Sequence, residues 1–314
     1  MTGTELRIAP VTVDHQSQWA DLLALCFDRQ SAHMHQLYSW LNGLYDLITW
    51  GAWDGEKLVA QYTCMMRPVS TPQGTVMAGM SINMAVHPEY RGRGLVKQVS
   101  APVYEQVRAC NGMLGVGFSN AEGVQVDRHS KSYGYQVVGR MQSSVFLVAG
   151  ESAPPLTLQA SFPDVPFRDM SSAHSRTHWQ FPKSPDYLRK RYADHPFREY
   201  HYGIWQEDEM IRGLVIYRPV RVFGVAGVAL LDVYGDDLPE LLARWRASLT
   251  GARVRFVHVL GSPTMPLYQE FPARRWILPY LRTPYYLTVK PLADDLSVEA
   301  LNLRAWDVIG GDVL

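Results

Sequence analysis

Val86-His87-Pro88-Glu89-Tyr90-Arg91-Gly92-Arg93-Gly94-Leu95-Val96 joins two stretches of different periodicity. Upstream, Met80, Ile82, Met84 and Val86 alternate with Ser81, Asn83 and Ala85, a period of two that predicts a strand. Downstream, Val96, Val99, Val103 and Val107 recur at helical spacing, which predicts a helix over about 96–109. The turn between them holds two glycines and two arginines. A strand that feeds such a turn into a helix is a place to hold phosphate. The first helical amides lack intrahelical acceptors, the helix dipole favours an anion, and glycine lets the main chain come close. Two familiar cradles do not fit. A Walker A loop requires Gly-x-x-x-x-Gly-Lys-Ser/Thr, which the chain lacks, and a dinucleotide fingerprint requires a third glycine where Lys97 stands.

The stretch resembles the acetyl-CoA loop of the GCN5-related N-acetyltransferase (GNAT) superfamily, Arg/Gln-x-x-Gly-x-Gly/Ala. Arg91 and Gly94 match two of its fixed places, and Val86-His87-Pro88-Glu89-Tyr90 matches the usual lead-in. Val96 stands where the family has glycine or alanine. The resemblance implies CoA contacts at Met84, Ala85 and Val86, at Arg91, Gly92, Arg93, Gly94, Leu95 and Val96, and at Asn120 after the next strand. It also implies an α/β (α+β) fold in which a mixed, mostly antiparallel twisted sheet is flanked by helices.

The 314 residues suggest two domains. Apolar residues at 47% and charged ones at 19% describe a globular chain. The zero formal net charge advertises no basic face, so no nucleic-acid partner is expected. Cys26, Cys64 and Cys110 have no paired spacing, which suggests reduced thiols, no metal site and a cytoplasmic protein. The start of the chain lacks a signal-peptide pattern and no apolar run reaches membrane length, so no membrane partner is expected. Whether the chain forms a homodimer is left open.

In order, the pattern predicts a strand over 6–11, then a helix with Trp19, Leu22, Leu23, Cys26 and Phe27 on one face. A second helix over about 34–44 carries His33, His35 and Tyr38 near its start, and the resemblance places this region over the acceptor site. Gly51 to Val59 reads as a hairpin around Asp54-Gly55, followed by a strand over 60–68 and a turn at Thr71-Pro72-Gln73-Gly74. Pro102 predicts a kink or a shortened helix after the loop. Gly115 and Gly117 lie inside a strand over 113–118, a sign of close approach, and the resemblance gives that approach to the pantetheine arm. Gly134-Tyr135 matches the family's Gly-Phe, with Ser130 replacing the tyrosine that often protonates the departing thiolate; His129 beside it is the alternative acid.

Gly150 to Pro155 reads as a linker. The pattern Gly203-Ile204-Trp205 and the following Leu214-Val215-Ile216-Tyr217-Arg218-Pro219 echo Gly51-Ala52-Trp53 and Tyr62-Thr63-Cys64-Met65-Met66-Arg67-Pro68. Two copies of one fold are therefore expected: a CoA-binding domain over 1–149, a linker over 150–160, and a degenerate copy over 161–314 forming part of the acceptor pocket. In that copy Asp236, Asp237 and Glu240 crowd the helix start around Pro239, where they would cap amides and repel phosphate.

The resemblance implies an N-acyltransferase that moves an acetyl or other short acyl group from acyl-CoA to the amine of a small molecule. An amino-sugar nucleotide is favoured; an aminoglycoside, a protein amine, or a CoA-binding protein without catalysis are the alternatives. Main-chain amides near Met84 and Val86 would stabilise the oxyanion. Asp232, His33, His35 and the carboxylate of Leu314 are candidate bases, and loss of the amine proton to water needs none of them.

Overall fold

A computed structural model describes residues 5–120, 134–148, 152–168, 177–271, 275–277 and 284–313. The alternation read over 80–86 belongs to β4 (Gly74–Val86), a central strand of a seven-stranded sheet. Its order is β1 (Arg7–Pro10), β2 (Leu47–Asp54), β3 (Lys57–Thr71), β4, β5 (Gly112–Ser119), β14 (Tyr286–Pro291) and β6 (Gln136–Arg140). β4 and β5 run parallel, and β14 lies antiparallel to β5 from Ser119↔Tyr286 to Leu114↔Pro291.

Strand alternation decides which face each side chain serves. Ala60, Tyr62, Cys64 and Met66 of β3 share a core with Leu95, Val99, Val103, Tyr104 and Val107 of helix α3 (Leu95–Ala109), and all are buried. The intervening positions of β3 carry a polar ladder. The Thr49 hydroxyl donates to Thr63 (3.0 Å), Thr63 to Gln61 Oε1 (2.7 Å), and Gln61 Nε2 to the Asn83 carbonyl. Helices α1 (Gln16–Phe27) and α2 (Ser31–Leu44) bury Trp19 edge-on against Tyr38, with centroids 4.9 Å apart. Phe27, expected on the buried face, is 46% exposed at the last turn, where Asp28 leaves the helix with φ 52°.

α3 runs unbroken through Pro102, so the expected shortening does not occur. A mid-helix proline costs about 3 kcal/mol. Burying each aliphatic side chain returns roughly 1.5–3 kcal/mol, and Leu95, Val99, Val103 and Val107 together outweigh the proline.

The second seven-stranded sheet runs β13 (Arg275–Ile277), β7 (Gln142–Leu147), β12 (Phe256–Gly261), β11 (Val225–Gly235), β10 (Met210–Val222), β9 (His201–Glu207) and β8 (Thr157–Gln159). Helix α4 (Leu238–Gly251) joins β11 to the parallel β12, as α3 joins β4 to β5. The hairpin echo falls on β2–β3 and β9–β10, both antiparallel. Two copies of one topology are present.

The copies exchange a strand. The place beside β5 is filled by β14, from late in the chain, and the equivalent place beside β12 by β7, from early in it. The compact units are accordingly Met1–Val69, Gly74–Gly139 and Tyr286–Leu301 for the first, and Ser70–Gln73, Arg140–Tyr285 and Asn302–Leu314 for the second. This corrects the expected division at 1–149, 150–160 and 161–314. A unit follows its sheet hydrogen bonds, and composition marks only where the chain is irregular. Among the described residues, no helix is long and apolar enough to cross a membrane.

Candidate active site

The loop after β4 begins with a single helical turn, Pro88–Tyr90, and ends at Gly94, the N-cap of α3. Gly92 and Gly94 adopt φ 77° and 69°. No neighbour lies within 4 Å of where a Cβ would stand on either, so glycine is required by the left-handed backbone and not by crowding. Gly94 offers no side-chain cap. Among the described residues, the main-chain amides of Gly92, Arg93, Gly94, Leu95, Val96 and Lys97 have no protein acceptor. Arg91 Nε donates to the Val86 carbonyl (3.3 Å), and Arg93 Nη2 to that of Glu89 (3.2 Å) while its guanidinium lies 4.7 Å from the Tyr90 ring centroid. Tyr90 is held by its hydroxyl donating to Asp54 (2.5 Å). Neither arginine pairs with a carboxylate among the described residues, and both lie in the turn that leads to these amides.

Next to this mouth the sheet opens. β4 and β5 pair from Met77↔Gly112 to Ser81↔Gly117 and no further, although β4 continues to Val86. Asn83, just past the last pair, has φ 49°, and its carbonyl accepts from Gln61 Nε2. The His87 amide donates to Val59 of β3 (2.8 Å), so alternation turns the amides of Val86 and Met84 toward the gap. These are the positions where the resemblance puts oxyanion donors, and Ala85 between them is buried. Asn120 is exposed directly after β5.

The close approach expected at the glycines of β5 is present, and protein side chains make it. A Cβ on Gly117 would stand 2.9 Å from Thr288 Oγ1, and one on Gly115 would stand 2.9 Å from the Tyr104 ring and 3.0 Å from the Tyr135 hydroxyl. Protein side chains fill that space. The sequence also gave no sign of the phenols there. Tyr62 and Tyr104 share a hydrogen bond of 2.7 Å, Tyr104 and Tyr135 one of 2.5 Å, and Ser81 lies within reach of Tyr62. Burial raises the pKa of all three phenols and pushes the Cys64 thiol beside them up to about 12, so the group stays protonated. The residues come from β3, α3 and the segment before β6, which share no sequence motif.

His33 is exposed on α2, and His35 is half-buried with its carbonyl accepting from Gln16 Nε2 (3.1 Å). His129, Ser130 and Leu314 lie outside the described residues.

The second copy closes its helix mouth. The Asp237 carboxylate accepts from the Glu240 amide (3.2 Å), and Asp236 accepts from Arg212 Nε (3.3 Å). Asp232, a candidate base, is wholly buried within the second unit. Lys183 Nζ donates to one of its oxygens and the Tyr192 hydroxyl to the other, and Lys183 also meets Asp312 at 3.5 Å. Burial opposes charge on Lys183, yet the two carboxylates outweigh it and hold its pKa above the usual range. A base must reach the proton it removes, and both oxygens of Asp232 are engaged within the second unit by Lys183 and Tyr192.

A parallel strand pair that parts beside an uncapped helix mouth is the arrangement that the resemblance implies. Residues 7–137 match the family model described as acetyltransferase (GNAT) domain, and this part of the chain belongs to the GNAT superfamily. A solved protein of unknown function from Enterococcus faecalis V583, a probable N-acyltransferase, is 14% identical with a TM-score of 0.67, over 92% of this chain and 73% of that one. The N-myristoyltransferase of Saccharomyces cerevisiae, solved with bound myristoyl-CoA, is 10% identical (TM-score 0.54, 91% of this chain and 84% of that one). A tandem GNAT protein from the clavulanic acid biosynthesis pathway is 14% identical (TM-score 0.53, 93% and 100%). At these identities the likeness is one of fold. No curated protein matches the sequence.

Proposed function

We propose that the first unit binds acyl-CoA and transfers its acyl group, acetyl or another short chain, to the amine of a small molecule. The observation that carries this is the row of amides without a protein acceptor from Gly92 to Lys97, beside the gap between β4 and β5. The diphosphate of CoA would meet those amides and the charges of Arg91 and Arg93, and the acyl arm would enter the gap. There the amine nitrogen attacks the thioester carbonyl, the C–S bond breaks, the amine gives up a proton and the thiolate takes one. Amides of Met84 and Val86 facing the oxyanion would contribute about 3 kcal/mol. The acid-capped helix of the second copy leaves it without a comparable phosphate site, and an amino-sugar nucleotide is the acceptor we favour.

Thiol release from acetyl-CoA across a panel of amino-sugar nucleotides and aminoglycosides tests the reaction. Acetyl-CoA binding with no thiol release for any amine would leave a CoA-binding protein. Arg93→Glu sets a carboxylate against the diphosphate and is expected to weaken CoA binding at least about tenfold, since charge-assisted contacts each contribute about 1.5–3 kcal/mol. An unchanged CoA affinity in a folded variant removes the loop from the site.

A further inference from the structure

The second unit contains a cavity of about 850 Å3 that no part of the acyl-transfer reading uses. Its volume falls within the range of small-molecule sites. Arg140, Arg191, Arg198, Arg218, Arg221 and His258 line it, and among the described residues no aspartate or glutamate does. β10 supplies Arg218 and Arg221, and the segment 189–200 supplies Arg191 and Arg198. Asp232 and Asp312 of the same unit are held by Lys183. In a chain of zero net charge this is a strong local concentration of one sign. Guanidinium groups gathered around one hollow favour an anion among them. His195 reports the same field: burial first, then the charges of Arg198 and Arg191, push its pKa down to about 4.

The rest of the lining narrows the ligand. Tyr192, Tyr200, Phe256 and Tyr285 give it aromatic surface, and Ser143, bonded to His258 Nε2 at 2.6 Å, gives it a polar pair. Guanidinium forks match phosphate oxygens two at a time, and tyrosine rings suit a flat heterocycle.

We infer that this cavity binds a small organic polyanion with an aromatic body, of which a nucleoside diphosphate is the type. The site belongs to the second unit alone and stands whether or not the first unit transfers acyl groups. Arg218 and Arg221 are its adjustable contacts. Arg218 is half-buried and Arg221 exposed, so replacing them leaves the core intact, whereas Arg191 is buried and would confound binding with folding.

The test is calorimetric titration of the full chain with uridine diphosphate, pyrophosphate, citrate and uridine. Uridine diphosphate should bind and uridine should not. Pyrophosphate against citrate tells a phosphate site from a general carboxylate one. The double variant Arg218→Glu, Arg221→Glu should lose at least about tenfold in affinity for uridine diphosphate while keeping that for acetyl-CoA. Arg93→Glu should do the reverse. No heat with any of the three anions at millimolar concentration overturns the inference. So does uridine diphosphate binding that survives the double charge reversal or disappears with Arg93→Glu, since the ligand would then sit at the first unit's helix mouth.

Discussion

Replacing Asp232 by alanine is expected to lower the stability of the chain by about 3–5 kcal/mol, the usual cost of stripping one partner from a buried ion pair. The side chains of Asp232 and Lys183 are 1% and 13% exposed, so the ammonium left behind has little water to turn to. Tyr192 would lose the acceptor of its buried hydroxyl. Gly311 closes the same cluster, with no room for a Cβ between the Tyr192 hydroxyl and the carboxylate. Urea denaturation followed by tryptophan fluorescence should show a marked fall in midpoint for Asp232→Ala and a smaller one for Asp232→Asn, which keeps the volume and an acceptor. An alanine variant as stable as the parent would show that the cluster holds nothing together. Lys183→Met should also be destabilised, because Asp232 and Asp312 then face each other without a cation. Its stability should recover as the pH falls: burial raises the folded-state pKa of Asp232, and protonating it favours the native state.

The second large effect concerns chain connectivity. A fragment ending at residue 149, where a composition-based cut would fall, is expected to be insoluble. It lacks β14, so β5 is left with a bare edge along Leu114 and Val116, both fully buried in the intact chain. Long apolar edges pair with other copies. The hollows at Gly115 and Gly117 also lose Lys290 and Thr288. Sedimentation and hydrogen exchange should show aggregates from the fragment, and appending residues 284–301 through a flexible linker should restore a soluble, protected sheet. A monomeric fragment with cooperative unfolding would mean that β14 is dispensable.

These two predictions also mark what could be read from residues alone. The strand, glycine turn and helix around Arg91–Val96 were legible because each is a local pattern, and the helix survives Pro102 because its apolar stripe is strong. The hairpin echo was legible for the same reason, as was the acid cap at Asp237. The exchange of β7 and β14 was not. Periodicity tells that a segment is a strand but carries no information about which strand lies beside it. Asp232 was placed correctly on a strand, yet its meaning depends on Lys183, Tyr192 and Asp312, which arrive from three other segments. The phenol chain of Tyr62, Tyr104 and Tyr135 is hidden in the same way, and so are the glycines of β5, whose cause lies partly in Thr288 and Lys290.

The pairing of Ser119 with Tyr286 has a temporal side. A ribosome adds about 5–20 residues per second, so the edge of β5 emerges roughly ten seconds or more before the segment that covers it has been made. Throughout that interval the nascent first unit presents an unzipped margin to the cell. Translation speed across the later half of the message, and the holdase chaperones waiting at the tunnel exit, therefore bear on the yield of a unit whose glycine turn and following helix were complete by residue 109.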